Sequence, residues 1–95
     1  MSLDQARAVS FPLGQVVATP GVLEILDPSE VLLSLARHAR GDWGELDSED
    51  IQENELSLVR GFRLLSAYRS SKGVKFWIIT EADRSVTTLL LPEEY

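Results

Sequence analysis

Cysteine is absent from this chain of 95 residues, and histidine occurs only once, as His38. The absence of cysteine excludes disulfides, iron–sulfur clusters and zinc sites built on thiolates, and a single imidazole excludes metal centres with several histidine ligands. The sequence has no Gly-rich phosphate loop and no G-x-S-x-G elbow for a nucleophilic serine. We therefore expect no cofactor, and the lack of cysteine is typical of a protein in the reducing cytoplasm.

Long hydrophobic runs and basic residues are also scarce. No apolar stretch approaches the roughly 20 residues that a membrane helix needs, and residues 1–10 lack the basic start and apolar core of a signal peptide. Fifteen acidic residues outnumber nine basic ones, for a net charge of −6. Nucleic acids and anionic membranes repel such a chain, so we expect neither as a direct partner. The charge favours a protein partner with a basic surface.

The apolar residues that are present, 44% of the chain, are typical of one globular domain spanning residues 1–95, with residues 1–10 flexible. Three helices are predicted: two begin at the caps Thr19 and Asp27, and a third, capped by Asp47 or Ser48, runs to about Arg60. Glu30 completes a capping box with Asp27. The stripes predicted to face the core are Leu32, Leu35, Ala36 and Ala39 on the second helix and Ile51, Leu58, Val59 and Phe62 on the third.

Four extended segments complete the predicted fold. Residues 15–18 form a short edge strand, and residues 63–69, 74–80 and 85–91 are rich in β-branched and aromatic side chains. Turn-forming residues join the last three segments as hairpins. The sequence therefore predicts an α+β fold, with two or three helices packed on a three- to four-stranded antiparallel sheet that ends in a C-terminal β-meander. The sheet face that carries Trp77 and Ile79 needs a cover, either another segment or a second copy of the chain.

The most unusual segment is an acidic run at residues 41–55, GDWGELDSEDIQENE. It has no basic residue and seven carboxylates: Asp42, Glu45, Asp47, Glu49, Asp50, Glu53 and Glu55. A block of like charge repels itself without an obvious gain for a compact fold. It is either a solvated helix face with its caps or a surface that docks on a basic partner.

Trp43 lies inside this run between two glycines. An indole in this position either packs as a lid on the helix ends or stays exposed as an anchor for a partner. On the docking interpretation, the residues predicted to bind the partner are Asp42, Trp43, Glu45, Glu49, Asp50 and Glu53.

A second interpretation is enzymatic. His38 and Asp42 suit a divalent metal or an acid–base pair, with Glu81 and Asp83 of a hairpin as further ligands. The structural alternative places His38 at a helix C-terminus and Asp42 in a backbone turn. Arg84, in the same hairpin, is a candidate to grip a phosphate or carboxylate, or else it pairs with Glu81 or the acidic helix.

Three stretches, FPLGQVVATPGVLE (11–24), LARHARGDWGEL (35–46) and RLLSAYRSSKGVKFWIITEADRSVTTLLLPEEY (63–95), carry a family resemblance. The chain resembles small proteins of plasmids and integrated mobile elements of Gram-negative bacteria, commonly called plasmid-related proteins. The resemblance covers nearly the whole chain. It implies a mobile-element, accessory or anti-defence setting, and it carries over no activity and no catalytic residue.

Three functions are compatible with these observations. The leading hypothesis is a small, non-enzymatic binding or regulatory protein of a mobile genetic element that docks its acidic helix on a basic protein. The alternatives are a small metal-dependent hydrolase or nuclease-like enzyme, and a structural homodimer that associates through its sheet face.

Overall fold

The helices and strands follow the predicted order. The computed structural model describes residues 11–95, so the prediction that residues 1–10 are flexible concerns residues outside this range. The strands are β1 (Gln15–Ala18), β2 (Leu64–Arg69), β3 (Lys75–Thr80) and β4 (Val86–Leu90), and the helices are α1 (Pro20–Ile25), α2 (Pro28–Ala39), α3 (Ser48–Arg60) and a final 3-10 turn (Pro92–Glu94). The α+β class is confirmed. In the described part of the chain, no helix has the length and apolar character that crossing a bilayer requires.

Local signals explain where the helices begin and end. The Asp27 carboxylate accepts a hydrogen bond from the Glu30 amide at 3.0 Å, and the Glu30 carboxylate accepts one from the Asp27 amide at 3.1 Å. This reciprocal capping box starts α2 as predicted. Asp47 caps α3 through the amide of Asp50 at 2.9 Å. Gly61 ends α3 in the left-handed conformation that glycine adopts without strain.

The sheet has the order β1–β4–β3–β2 and is mixed. β2, β3 and β4 form the predicted antiparallel meander, but β1 pairs with β4 in parallel, so the prediction of a purely antiparallel sheet is wrong. The parallel pair arises because all three helices and two strands lie between β1 and β4, and such a connection is not limited to a hairpin. Just before β1, the backbone of Gly14 lies close to the backbone of Ser85, which precedes β4. Gly14 has a φ of +65°, and an added Cβ would lie 2.2 Å from the Ser85 carbonyl oxygen.

One face of the sheet packs against α1 and α2 to form the main core. The buried cluster consists of Val22, Leu26, Tyr68, Phe76, Ile78 and Leu89. Side chains alternate along each strand, so the residues between these core positions point to the opposite face. The meander therefore has two apolar faces, as its sequence indicates.

α3 lies beside the outer edge of β2, where the free backbone groups of that strand are paired. The Asn54 side chain donates to the Leu65 carbonyl at 2.6 Å and accepts from the Leu65 amide at 3.0 Å. Two residues further along, the Ala67 amide donates to the Trp43 carbonyl at 3.1 Å, and the Glu45 amide donates to the Ala67 carbonyl at 2.7 Å. Because an open edge strand can pair with another chain, these bonds protect β2 from unwanted association.

The apolar stripes predicted for α2 and α3 need correction. Leu35 packs against the core as predicted, but α2 also buries His38 and α3 buries Asn54, whereas Leu32 is 68% exposed and Val59 is 82% exposed. Both buried side chains bond to the sheet, His38 to strand hydroxyls and Asn54 to strand backbone. Hydrogen bonds of buried polar groups therefore help to orient the two helices, in addition to apolar burial.

Candidate functional site

Two of the carboxylates predicted to bind a partner form ion pairs within the chain. The Asp42 carboxylate accepts from Arg37 Nε at 2.8 Å and from Arg37 Nη2 at 3.2 Å, and this pairing holds the pKa of Asp42 below its usual range. Glu45 accepts from Arg69 Nε at 3.0 Å. All four side chains are about half exposed, so each pair adds about 1 kcal/mol of stability at most. The pairs nevertheless neutralise charge that a basic partner would otherwise meet.

Trp43 is buried, with 4% of its surface exposed. Its indole stacks on Phe11 with ring centroids 6.2 Å apart and meets His38 edge-on at 5.9 Å. The indole Nε1 donates to the Glu55 carboxylate at 2.9 Å. The interpretation of Trp43 as an exposed anchor is therefore corrected: the side chain packs inside the domain because the indole finds both aromatic contacts and a hydrogen-bond acceptor there.

The remaining predicted carboxylates lie on α3. Glu49, Asp50 and Glu53 occupy the first half of the helix, where the helix dipole favours negative charge. None of the three forms an ion pair with another residue in the range 11–95. This end of α3 therefore keeps a concentration of uncompensated negative charge.

A groove of about 820 Å³ lies between α3 and the sheet face that points away from α1 and α2. Its floor contains Leu65, Trp77 and Ile79, which share one face by the register of β2 and β3. Leu56 and Phe62 add apolar walls and are about half exposed. The cover that the sequence requires for this face is thus supplied in part by the chain itself, and an open apolar channel remains.

Charged residues at the groove are distributed unevenly. Among the described residues that line it, Arg63 is the one cation, and its Nε pairs with Glu81 at 3.4 Å. Arg63 Nη1 also donates to the hydroxyl of Tyr95 at 2.8 Å, which places the Tyr95 ring edge-on to Trp77 with centroids 5.9 Å apart. Asp50 and Glu53 line the groove without a cation of their own. The groove therefore combines an apolar floor with a negative rim.

His38 belongs to a different, fully buried polar network. Thr87 Oγ1 donates to the Leu13 carbonyl at 2.7 Å, and Thr80 Oγ1 lies 2.7 Å from Thr87 Oγ1. A hydroxyl has one hydrogen, so Thr80 donates to Thr87 and must accept from His38 Nε2, 2.9 Å away. Ser66 Oγ, at 2.6 Å, then donates to the bare Nδ1. The hydroxyl chain places a proton on Nε2, and burial, which lowers the pKa of His38 to about 4, leaves Nδ1 without one at neutral pH.

The structure does not assemble the predicted enzymatic constellation around His38. Burial lowers the pKa of His38 to about 4, and the positive charge of Arg84 acts in the same direction. Within residues 11–95, no three His, Asp or Glu side chains converge as metal ligands. The predicted co-ligands have other partners, Arg37 for Asp42, Arg63 for Glu81 and the Ser85 amide for Asp83.

The guanidinium of Arg84 joins α3 to the hairpin that follows β3. It donates to the carbonyl oxygens of Ser57 at 3.1 Å, Phe62 at 2.7 Å, and Glu81 and Ala82 at 3.2 Å each. Arg84 also adopts a φ of 62°, which is uncommon for a residue with a side chain. With its donors directed at backbone carbonyls, Arg84 has a structural role in this arrangement rather than the predicted ligand-binding one.

Sequence reasoning singled out neither Leu56 nor Tyr95 as a groove residue, and it assigned Phe62 to the core. Phe62 and Tyr95 come from opposite ends of the meander, so their position at the same groove could not be predicted from their distance in the sequence. The available signal was the apolar pair Trp77 and Ile79, which marked this face as one that needs a cover. Comparisons of the chain with family models, with curated proteins and with solved structures found no match.

Proposed function

We propose that this protein is a non-enzymatic binding protein that takes up a basic, amphipathic segment of a partner protein in the groove between α3 and the sheet. The observation that carries the proposal is the open apolar floor beside carboxylates that have no cation in the described part of the chain. An apolar channel suits the apolar side of such a segment, and the negative rim suits its basic side.

The apolar part of the groove would supply most of the affinity. Trp77 is half-buried, so its indole keeps exposed surface that a partner side chain can cover. Phe62 and Leu56, 52% and 47% exposed, would lose contact with water in the same step. Large aromatic side chains dominate the energetics of protein interfaces, which makes Trp77 the anchor on this surface in place of Trp43.

The carboxylates would supply specificity and speed of association. Glu49, Asp50 and Glu53 project a negative field from one end of α3, and such a field attracts a basic segment before contact. Because these side chains are largely solvated, salt should weaken their contribution. A groove of this kind discriminates against acidic segments of equal hydrophobicity.

The setting that we propose follows from the resemblance to plasmid-related proteins. The protein would act in the cytoplasm as an accessory or anti-defence factor of a mobile element, where occupying a basic segment blocks that segment's other interactions. Occlusion of this kind needs binding alone and no chemical step.

Neutralising the groove rim is expected to weaken binding of a synthetic basic amphipathic peptide by about tenfold or more at low salt. The test compares the D50N/E53Q double variant with the wild type by isothermal titration calorimetry. The matched control is E24Q/E93Q, which has the same net charge and alters two exposed carboxylates outside the groove lining. Equal affinity of the two double variants would contradict the proposal, because binding would then follow net charge and not the groove.

A further inference from the structure

The outer face of α2 carries an apolar patch that no residue in the range 11–95 covers. Leu32, Leu33 and Ala36, which we call the α2 patch, fall on one stripe at helical spacing together with Arg40. Leu32 is 68% exposed and Leu33 is 67% exposed. The inward face of the same helix buries His38 and packs Leu35 against the core, whereas Leu32 and Leu33 stay in solvent.

A hollow lies directly beside the α2 patch. Its volume is about 350 Å³, and Leu33, Ala36 and Arg40 line one side while Tyr68 and Phe76 of the sheet line another. The same surface thus offers a protruding leucine, Leu32, and a concave site next to it. A two-fold symmetric interface brings the same surface of both copies together, so a protrusion and a hollow on that surface can fit into each other.

The charges along α2 have the same self-complementary arrangement. The chain is acidic before and at the start of α2, at Glu24 of α1 and at the cap Asp27, and Arg40 follows the end of α2. Arg37, in the last turn of α2, already pairs with Asp42. Arg40 and Glu24 form no ion pair within residues 11–95. Arg40 lies roughly 10 Å beyond Leu33 along the helix axis, and in an antiparallel pair of α2 helices that position faces the acidic start of the partner helix.

We propose that the protein forms a homodimer in which two α2 helices pack antiparallel across a two-fold axis. The α2 patch of each copy fills the hollow of the other, and Arg40 of each copy approaches the acidic start of the other. The dipoles of two antiparallel helices attract each other, which further stabilises the dimer. α2 and the α3 groove lie on opposite faces of the sheet, so this interface is independent of the proposed binding function and leaves both grooves accessible.

The first experiment is a sedimentation-equilibrium measurement of mass against concentration. The wild type is expected to be a dimer at about 100 µM, and the L32E variant is expected to weaken dimerisation about 100-fold, because a carboxylate would be buried in the interface. The V59E variant is the control: it makes the same kind of change at an 82% exposed position on α3 and should leave the dimer intact. A wild type that stays monomeric up to about 1 mM overturns the proposal and assigns the α2 patch to a different protein.

The second experiment distinguishes the antiparallel arrangement from any other dimer. R40E and E24R, each alone, should dimerise about tenfold more weakly than the wild type, because each places like charges at both ends of the interface. An equimolar mixture of R40E with E24R should recover dimerisation, since each heterodimer then restores opposite charges at both contacts. No recovery on mixing, with L32E still monomeric, would contradict the antiparallel pairing.

Discussion

Acidification is expected to cost this protein about 3 kcal/mol of folding free energy through one residue, His38. The pKa of His38 is about 4 in the folded protein, against an ordinary value of 6.5. The imidazole is fully enclosed, and its hydrogen bonds to Ser66 and Thr80 are satisfied by the neutral ring. A protonated ring would bring a positive charge into a site where its hydrogen-bond partners are the hydroxyls of Ser66 and Thr80, and Arg84 would add repulsion.

The sign of the effect follows from which state binds the proton first. As the pH falls below 6.5, the unfolded chain takes up a proton on His38 while the folded chain does not. Proton binding therefore stabilises the unfolded state relative to the folded state. Stability should fall by about 1.4 kcal/mol per pH unit until the pH approaches 4, where the folded protein is protonated as well. The lowered pKa values of Glu30 and Glu94 act near and below their ordinary value of 4.5, and that of Asp42 near and below 3.8. Between pH 6.5 and about 5 the slope therefore belongs mainly to His38.

Urea unfolding at a series of pH values measures this slope. The H38Q variant keeps one donor and one acceptor but does not titrate, so its stability should be nearly independent of pH between 6.5 and about 5. If H38Q proves too unstable, a direct NMR titration of the wild-type ring answers the same question. An imidazole pKa near 6.5 in the folded protein would contradict the buried network.

Replacing Trp43 with alanine is expected to destabilise the protein by about 3 to 5 kcal/mol without removing the groove. The indole is 4% exposed, and the change would open a cavity between Phe11 and His38 and remove the hydrogen bond to Glu55. A small domain has a total stability of about 5 to 15 kcal/mol, so the loss is a large fraction of the whole. Chemical unfolding followed by circular dichroism measures it.

The W43F variant separates packing from hydrogen bonding. Phenylalanine retains the ring contacts but has no donor for Glu55, so an intermediate loss of about 1 to 2 kcal/mol is expected. The folded fraction of each variant should bind the basic peptide as the wild type does, because Trp43 does not line the groove. A loss of peptide binding at unchanged stability would show that Trp43 acts as an exposed anchor, which contradicts its burial.

Most of the fold could be predicted from patterns between residues that are close in the sequence. The capping box at Asp27 and Glu30 and the glycine at position 61 set helix boundaries through bonds between residues close in sequence. The two hairpins of the meander follow from turn residues in the same way. The parallel pairing of β1 with β4 was missed because it joins segments about 70 residues apart, and no local pattern encodes that contact.

The candidate site was harder to predict because charge and burial are decided by tertiary partners. The carboxylates of Asp42 and Asp50 look alike in the sequence, yet Asp42 meets Arg37 and Asp50 meets no cation in the described range. The sequence left open whether Trp43 packs or binds a partner, and the structure places it in the interior, whereas Trp77 lines the groove. The sheet residues around each indole decide this difference, and they lie far away in the chain.

Mapping a bound basic amphipathic peptide onto the surface by NMR tests the proposed function most directly. In a titration of the isotope-labelled protein, the largest chemical-shift changes are expected at the Trp77 indole N–H and at the amides of residues 50–57, while the Trp43 indole N–H stays nearly unchanged. Changes spread evenly over all acidic surfaces, or an unaffected Trp77 indole, would contradict binding in the groove between α3 and the sheet.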